Sequence, residues 1–441
     1  MKNISLFQTL FIGAFGLFAL IGIFAFSTYS GSSSSEKTIG VVTIWGVLPK
    51  SSVQPALTKM VQSNQKLKDI SYTSKNPATF EADLTKAIAS GSGPDLILIS
   101  QEDLATLTGE INPISYNTLS QRKFMNTFSD GSAIYLRSNG IYGLPVTIDP
   151  LVLYYNQTIL VSSGIVSEAS TTWEMLTGWA PRVVKLTKTH NISRALISLG
   201  TYSNVHNARG VLSTLFLQAG VPIVTLNTHG GYKISLNTAN GASSPGESVL
   251  RFYTQFADPT KVSYTWNTTL PDSQQVFIHG DSALYLGYAS EASFIAEANP
   301  NLSFDIAQVP QLQTASFKTD YAKIYAFSVP RGSRNVYGAL KVASLFINPA
   351  NDRLVAQSSG TAPALRSLLE AAPNDPVSAV VYPAAIMSRT WLSPTPTMTD
   401  NIFSRMIKDV VTGKTSIAQA LTNAEQLIRS ALPDIKTKKP T

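Results

Sequence analysis

Between residues 80 and 99, the spacing of apolar residues changes from a helical repeat to a continuous apolar run. Gly91 follows a helical repeat at the position of a left-handed C-terminal cap, and Pro94 prevents the helix from continuing. Residues 96–99 are all apolar, which favours a strand covered on both faces, as in a parallel sheet. The segment therefore predicts a helix followed by a buried strand. The apolar face of that helix consists of Phe80, Leu84, Ala87 and Ile88.

Similar patterns along the rest of the chain predict alternating strands and helices, which is typical of an α/β fold. Two of the predicted helices begin with a capping box, formed by Thr171 with Glu174 and by Ser416 with Gln419. Strands are expected at 38–45, 96–99, 151–156 and 324–329. Helices are expected at 54–61, 104–107, 171–188, 208–219, 247–256, 337–346 and 417–432.

The N-terminal segment has the longest apolar run. Residues 10–26 carry no polar side chain, and with the flanking residues 4–7 a helix here reaches across a hydrocarbon core of about 30 Å. We expect residues 1–30 to form a membrane anchor or uncleaved signal. The alternative is a cleaved signal peptide with its processing site near residues 25–27. Lys2 precedes the run, which orients the remaining chain away from the cytoplasm.

Composition narrows the class of protein. With 441 residues, 44% hydrophobic and 14% charged, the chain is long enough for two lobes with sizeable cores. The absence of cysteine excludes disulfides, thiolate metal sites, cysteine nucleophiles and a lipid anchor on cysteine. The net charge of +7 is scattered along the chain, so we expect no nucleic-acid binding.

The sequence contains few groups with the spacing that catalysis needs. The four histidines are far apart and none belongs to an HExxH pair, which argues against a zinc hydrolase. Residues 413–415 read GKT, but Lys408 occupies the place of the first glycine of a nucleotide-binding loop. Ser63 begins an SxxK string without its companion motifs. We therefore predict a protein that is not an enzyme and binds no cofactor or metal.

Four short motifs occur in a specific order: GSGPD at 91–95, YGLPV at 142–146, LYYN at 153–156 and TTWE at 171–174. Their order and spacing resemble the extracellular solute-binding proteins of ABC importers, the family that includes maltose-binding protein. The resemblance extends from about Ile39 to Leu432. It implies a two-lobe α/β fold of periplasmic-binding-protein type II with three inter-lobe crossings. The apolar N-terminal segment adds the predicted transmembrane helix before it.

Composition and the resemblance together predict the domain boundaries. From composition, a serine-rich linker at 31–37 would join the anchor to the lobes, and 434–441 would form a tail. The resemblance implies the boundaries of the lobes. Lobe I would consist of 38–147 and 311–362, and lobe II of 148–310 and 363–433.

Candidate ligand-binding residues follow from the positions at which this family brings its chain to the cleft. Aromatic rings suit the apolar faces of sugars, and carboxylates and amides suit their hydroxyl groups. Each candidate aromatic is also a reasonable core residue. Residues 99–100 replace a tryptophan common in maltose-binding relatives, so no maltodextrin specificity is assigned. The candidates are Trp45, Gln101, Glu102, Asp149, Tyr202, Asn204, Tyr288 and Trp391.

The predicted function is a membrane-tethered, extracytoplasmic binding protein. It would act as a monomer that captures a small solute, expected to be a sugar or oligosaccharide, and delivers it to ABC permease subunits. One alternative is a hydrolase of cell-wall glycans that uses Asp149 with Glu102 as its carboxylate pair. Another is a sensor or scaffold that passes its signal to a membrane partner other than a permease.

Overall fold

The computed structural model describes residues 38–165, 171–227, 231–238, 244–313, 315, 317–371, 373 and 375–433. The predicted anchor, the linker and the C-terminal tail lie outside these residues. Within the described ranges, no helix has both the length and the apolar content needed to cross a membrane.

Short strands alternate with helices, as the hydrophobic pattern predicts. The strands are β1 (Val42–Gly46), β2 (Ile70–Ser74), β3 (Leu96–Ser100), β4 (Leu136–Arg137), β5 (Gly140–Ile141), β6 (Leu144–Asn156), β7 (Lys185–Leu186), β8 (Ile192–Arg194), β9 (Val224–Leu226), β10 (Tyr232–Ile234), β11 (Leu284–Tyr288), β12 (Phe304–Gln308), β13 (Asp320–Ser328), β14 (Ala362–Pro363) and β15 (Ser388–Arg389).

The helices lie between most of these strands and follow the last of them. They are α1 (Lys50–Ser63), α2 (Phe80–Ala89), α3 (Leu104–Leu107), α4 (Gln121–Thr127), α5 (Gln157–Ser162), α6 (Trp173–Val183), α7 (Ala208–Gln218), α8 (Pro245–Thr254), α9 (Ser273–Ile278), α10 (Ala292–Ala298), α11 (Val336–Phe346), α12 (Pro349–Ser359), α13 (Arg366–Leu369), α14 (Pro376–Met387), α15 (Pro396–Val411) and α16 (Ile417–Ala431).

One mixed sheet organises the molecule, and the long strand β6 runs through it. Parallel strands β2, β1 and β3 continue into β13, which is antiparallel to β3 and pairs with residues 144–150 of β6. Beyond residue 150, β6 pairs instead with β11 and β12, both antiparallel. We call the part around β1, β2, β3 and β13 the first sheet region, and the part around β11 and β12 the second sheet region.

The helix and buried strand predicted between residues 80 and 99 are both confirmed. Helix α2 ends at Ala89, and Gly91 adopts the left-handed conformation with φ of 67°. The amide of Ser92 donates to the carbonyl of Ala87, which closes the end of the helix. All residues of β3 are buried between β1 and β13.

The predicted strand at 151–156 is the second half of a longer strand. Strand β6 begins at Leu144 and passes through Pro145 and Pro150 without ending. An irregularity in its pairing with β13 lies opposite Pro145, where the register shifts between Tyr325 and Ala326. Such a bulge accommodates a residue that has no amide hydrogen to donate.

Two predicted boundaries differ from the observed ones. The helix expected at 171–188 is capped by Thr172 and ends at Val183, after which the chain forms the β7–β8 hairpin. The first strand begins at Val42 rather than at residue 38, because the side-chain amide of Asn335 donates to the carbonyls of Ile39 and Val41. Those carbonyls are therefore bonded outside the sheet.

Strand β13 begins with a buried carboxyl group, that of Asp320. Asp320 is 0% exposed, and among the described residues neither of its oxygens has a partner. Burial raises its pKa well above the ordinary value of 3.8, against the opposing charge of Arg389. The folded protein therefore keeps Asp320 protonated at pH values where the unfolded chain releases the proton.

We expect Asp320→Asn to become progressively more stable than the wild type as the pH rises above about 4. The stability that protonated Asp320 contributes is complete below its unfolded pKa and is lost as pH rises towards the raised folded pKa. The difference should grow by up to about 1.4 kcal/mol for each pH unit in that window. Urea unfolding at pH 5 and pH 7 measures it. Exposed Asp69 supplies the control substitution, Asp69→Asn; equal pH dependence in both variants would contradict the expectation.

Candidate functional site

The carboxyl ends of the parallel strands in the first sheet region carry three of the predicted site residues. Trp45 stands near the end of β1, and Gln101 and Glu102 follow β3 directly. Open α/β sheets bind ligands outside this edge. The Nζ atom of Lys75, which follows β2, lies 3.8 Å from the centre of the half-buried Trp45 ring. The edge therefore combines an aromatic face, an ammonium group and a carboxylate.

Glu102 forms a two-pronged ion pair with Arg209, which lies in the first turn of α7. Nε of Arg209 is 2.9 Å from Oε1 of Glu102, and Nη2 is 3.1 Å from Oε2. The hydroxyl of Tyr321 also donates to Oε1, at 2.8 Å. Burial acts to raise the pKa of Glu102, but the charges of Arg209 and Lys323 outweigh it and lower the pKa below its ordinary value. Glu102 is thus held ionised.

A second carboxylate, Asp400 of α15, completes the surroundings of Arg209. Nη1 of Arg209 donates to Oδ2 of Asp400 at 2.6 Å and to the carbonyl of Pro396 at 3.0 Å. The hydroxyl of Tyr202 donates to the other oxygen of Asp400, also at 2.6 Å. Tyr202 therefore reaches the same cluster as Glu102.

Asp149 lies within β6, close to the change from the first to the second sheet region. Its carboxylate accepts hydrogen bonds from the amide and the hydroxyl of Ser290, at 3.0 and 2.7 Å. Burial raises its pKa to about 6, and the bonds from Ser290 and the charge of Lys323 act in the opposite direction. Lys323 is paired with Asp149 across β6 and β13.

Tyr288 ends β11 and contacts both Lys323 and the start of α7. The Nζ atom of Lys323 lies 4.1 Å from the centre of its ring, in a cation–π contact. Its hydroxyl lies so close to α7 that a Cβ atom on Gly210 would be only 2.6 Å from it. The absence of a side chain at position 210 therefore lets Tyr288 lie beside Arg209.

Three predicted site residues are fully engaged in structural contacts. Gln101 bridges β3 and β13 by donating to Tyr321 and Ala322 and accepting from the amide of Ile324. The side chain of Asn204 donates to the backbone carbonyls of residues 267 and 270. Trp391 is 2% exposed, donates to Ser213 and stacks on a phenylalanine of α15. Ligand contact by these three stays a prediction.

Sequence reasoning missed Arg209, Asp400, Lys323 and Tyr321. One signal was present, because Arg209 is the only charged residue of α7 and lies in its first turn. A cation is unfavourable near the positive end of a helix dipole unless an anion pairs with it. Its position therefore indicated an acidic partner, although not which one.

Comparison with known proteins identifies the family. The family model for bacterial extracellular solute-binding proteins matches residues 56–380, which is well over half of the chain. The chain belongs to this family. A search among curated proteins found no match to this solute-binding protein.

Solved structures share the fold of the solute-binding protein at low sequence identity. A cyclo/maltodextrin-binding protein complexed with maltotetraose is 15% identical, has a TM-score of 0.71, and is matched over 92% of this chain and 100% of that chain. A cyclic α-maltosyl-1,6-maltose binding protein from Arthrobacter globiformis is 17% identical, with a TM-score of 0.71 and coverage of 89% and 98%. The GacH receptor of Streptomyces glaucescens is 16% identical, with a TM-score of 0.67 and coverage of 90% and 99%. The resemblance therefore concerns the fold.

Proposed function

We propose that this solute-binding protein captures a carbohydrate between two lobes and delivers it to an ABC importer. The observation that carries the proposal is the grouping of aromatic rings and carboxylates where the two sheet regions meet. Trp45 and Tyr288 supply aromatic rings, and Glu102, Asp149 and Asp400 supply carboxylates. In this structure the rings contact lysines and the carboxylates contact Arg209 and Ser290, so a sugar would take over some of these contacts. This combination suits a sugar, whose C–H faces are apolar and whose rim carries hydroxyls.

Further support comes from the structural neighbours, several of which bind sugars. One is complexed with maltotetraose, another has mannotriose bound and a third is bound to maltotriose. Their likeness to this chain is one of fold, so the ligand class is our inference from the fold together with the residues at the site.

The lobes of this proposal follow the sheet regions. Lobe I would consist of 38–147 with 311–362, and lobe II of 148–310 with 363–433, joined by three crossings near β6, β13 and β14. Ligand contacts from both lobes would favour the closed form, which the permease would recognise. The N-terminal segment would hold the binding protein, as a monomer, on the outer side of the membrane.

A thermal-shift screen of the purified protein against neutral mono- and oligosaccharides, polyols, amino acids and peptides tests the ligand class. A ligand that binds the folded state raises the melting temperature in a concentration-dependent way. We expect at least one saccharide to do so and titration calorimetry to confirm a saturable site. A response to peptides or amino acids alone would contradict the carbohydrate assignment.

Asp149→Asn should weaken binding of that saccharide by about 10- to 100-fold, because a hydrogen bond to a charged acceptor contributes roughly 1.5–3 kcal/mol. Calorimetry of the variant measures the loss, and its melting temperature without ligand reports folding. Asp305→Asn, which alters an exposed carboxylate on β12, is the matched control. Wild-type affinity in a folded Asp149→Asn protein would remove Asp149 from the binding site.

A further inference from the structure

The ion pair between Glu102 and Arg209 connects the two sheet regions through the protein's own side chains. Glu102 follows β3 of the first region. The start of α7, which carries Arg209, is held to the second region, because the side chain of Asn207 donates to the hydroxyl of Tyr285 and the carbonyl of Leu286 on β11. Further along α7, Thr214 accepts from the amide of Tyr321 at the start of β13, so the helix also contacts the first region. We call the Glu102–Arg209 contact the inter-region ion pair.

The inter-region ion pair uses nearly all the hydrogen-bonding capacity of its members. Four N–H groups of Arg209 point at Glu102, Asp400 and Pro396, and both oxygens of Glu102 accept from Arg209. The side chains of Arg209 and Glu102 are only 13% and 4% exposed. A ligand hydroxyl that bonds to Glu102 must therefore displace a contact that already exists.

Other contacts near the pair also join the two regions, but they do not involve Glu102. Lys323 lies on β13 of the first region, and its ammonium lies over the ring of Tyr288 on β11 of the second region. Asp400 keeps its contact with Tyr202, which does not involve Glu102. Loss of the guanidinium therefore removes the direct bonds between Glu102 and α7.

We propose that Arg209 stabilises the closed arrangement of the two lobes from within and thereby sets the apparent affinity for ligand. This inference deepens the proposed function, on which its consequence for ligand affinity rests. Separating the two regions breaks both hydrogen bonds between Arg209 and Glu102, and water then solvates both charges. A ligand that enters only the open form binds with an apparent dissociation constant equal to the intrinsic one divided by the open fraction.

A distance measurement on the protein alone tests the proposal. The chain contains no cysteine, so cysteines introduced at exposed Lys59 of α1 and Val161 of α5 would be the only sites for spin labels. Double electron–electron resonance then reports the separation of the two regions. We expect the labelled wild type to show mainly the shorter distance, and Arg209→Gln to increase the population at longer distances at least threefold.

Arg405→Gln is the matched control, because the exposed side chain of Arg405 makes an ion pair with Asp409 within α15, at 3.7 Å. If circular dichroism shows that Arg209→Gln does not fold, Glu102→Gln is the second variant. It removes the carboxylate of the inter-region ion pair, while Arg209 keeps its ion pair with Asp400. Equal distance distributions in the wild type, the control and whichever of Arg209→Gln and Glu102→Gln folds would overturn the proposal. A wild type that shows mainly the longer distance would also overturn it.

The two proposals fail in different ways. The distance measurement needs no saccharide, so a failed carbohydrate screen would contradict the ligand class and leave the distance result intact. Conversely, the wild type could bind a saccharide while Arg209→Gln and Glu102→Gln leave the distances unchanged. That result would contradict only the role of Arg209.

Discussion

Replacing Trp391 by alanine should lower the free energy of unfolding by about 3–5 kcal/mol, which is the usual cost of removing a large buried aromatic side chain. The ring is 2% exposed and stacks on Phe403, and its Nε1 atom donates to Ser213 at 2.9 Å. Alanine would leave a cavity between α7 and α15 and an unpaired hydroxyl at Ser213. Guanidinium unfolding followed by far-UV circular dichroism measures the loss.

Trp45→Ala is the matched comparison, because Trp45 is half-buried and one face of its ring contacts Lys75. We expect this variant to lose less than about 2 kcal/mol of stability and to lose affinity for the saccharide found in the screen. Similar destabilisation in both variants would contradict the distinction between a core tryptophan and one at the predicted ligand site.

Replacing Asp352 by alanine should cost about 2–4 kcal/mol of unfolding free energy, because it leaves two buried amides without acceptors. Asp352 is 0% exposed on α12 and accepts from the amides of Ala364 and Leu365, at 3.4 and 3.1 Å. These amides follow β14, where the chain pairs with β6. The carboxyl group therefore holds the end of that strand against α12.

The pH dependence of Asp352 provides a second measurement. Burial raises its pKa to about 8 from the ordinary value of 3.8, although the two amides act to lower it. Its protonated form thus adds stability that is complete below pH 4 and is lost as pH rises to 8. Asp352→Asn should keep part of the amide bonding and show a flatter profile between pH 4 and pH 8. A variant as stable as the wild type with an unchanged profile would contradict this role.

Local features were predictable because their causes lie within a few residues of one another. Gly91 and Pro94 end α2, and Ser416 caps α16 by accepting from the amide of Gln419, as the pattern predicts. The boundary at 171–188 was less predictable, since Thr171 and Thr172 are both plausible caps and only the second one accepts from Met175. Neighbouring threonines are distinguished by backbone direction, which depends on the packing of α6.

The candidate site was predictable only in part, for a related reason. Glu102 and Asp149 stand at strand positions that a motif reveals, and they do meet polar partners where the sheet regions join. Trp391 has the residue type expected of a sugar-binding site but is buried against Phe403. Residue type indicates what a side chain can do, whereas burial depends on which helices cover it.

By itself, the sequence determined the alternation of strands and helices, the ends of several elements and the motifs of the solute-binding family, because these depend on local periodicity, capping and order. Only the tertiary structure decided that Arg209 pairs with Glu102 and Asp400, and that Lys323 faces Asp149 and Tyr288. The partners of Arg209 lie more than a hundred residues away along the chain. Their meeting depends on how β6 and β13 join the two sheet regions, which no local pattern specifies.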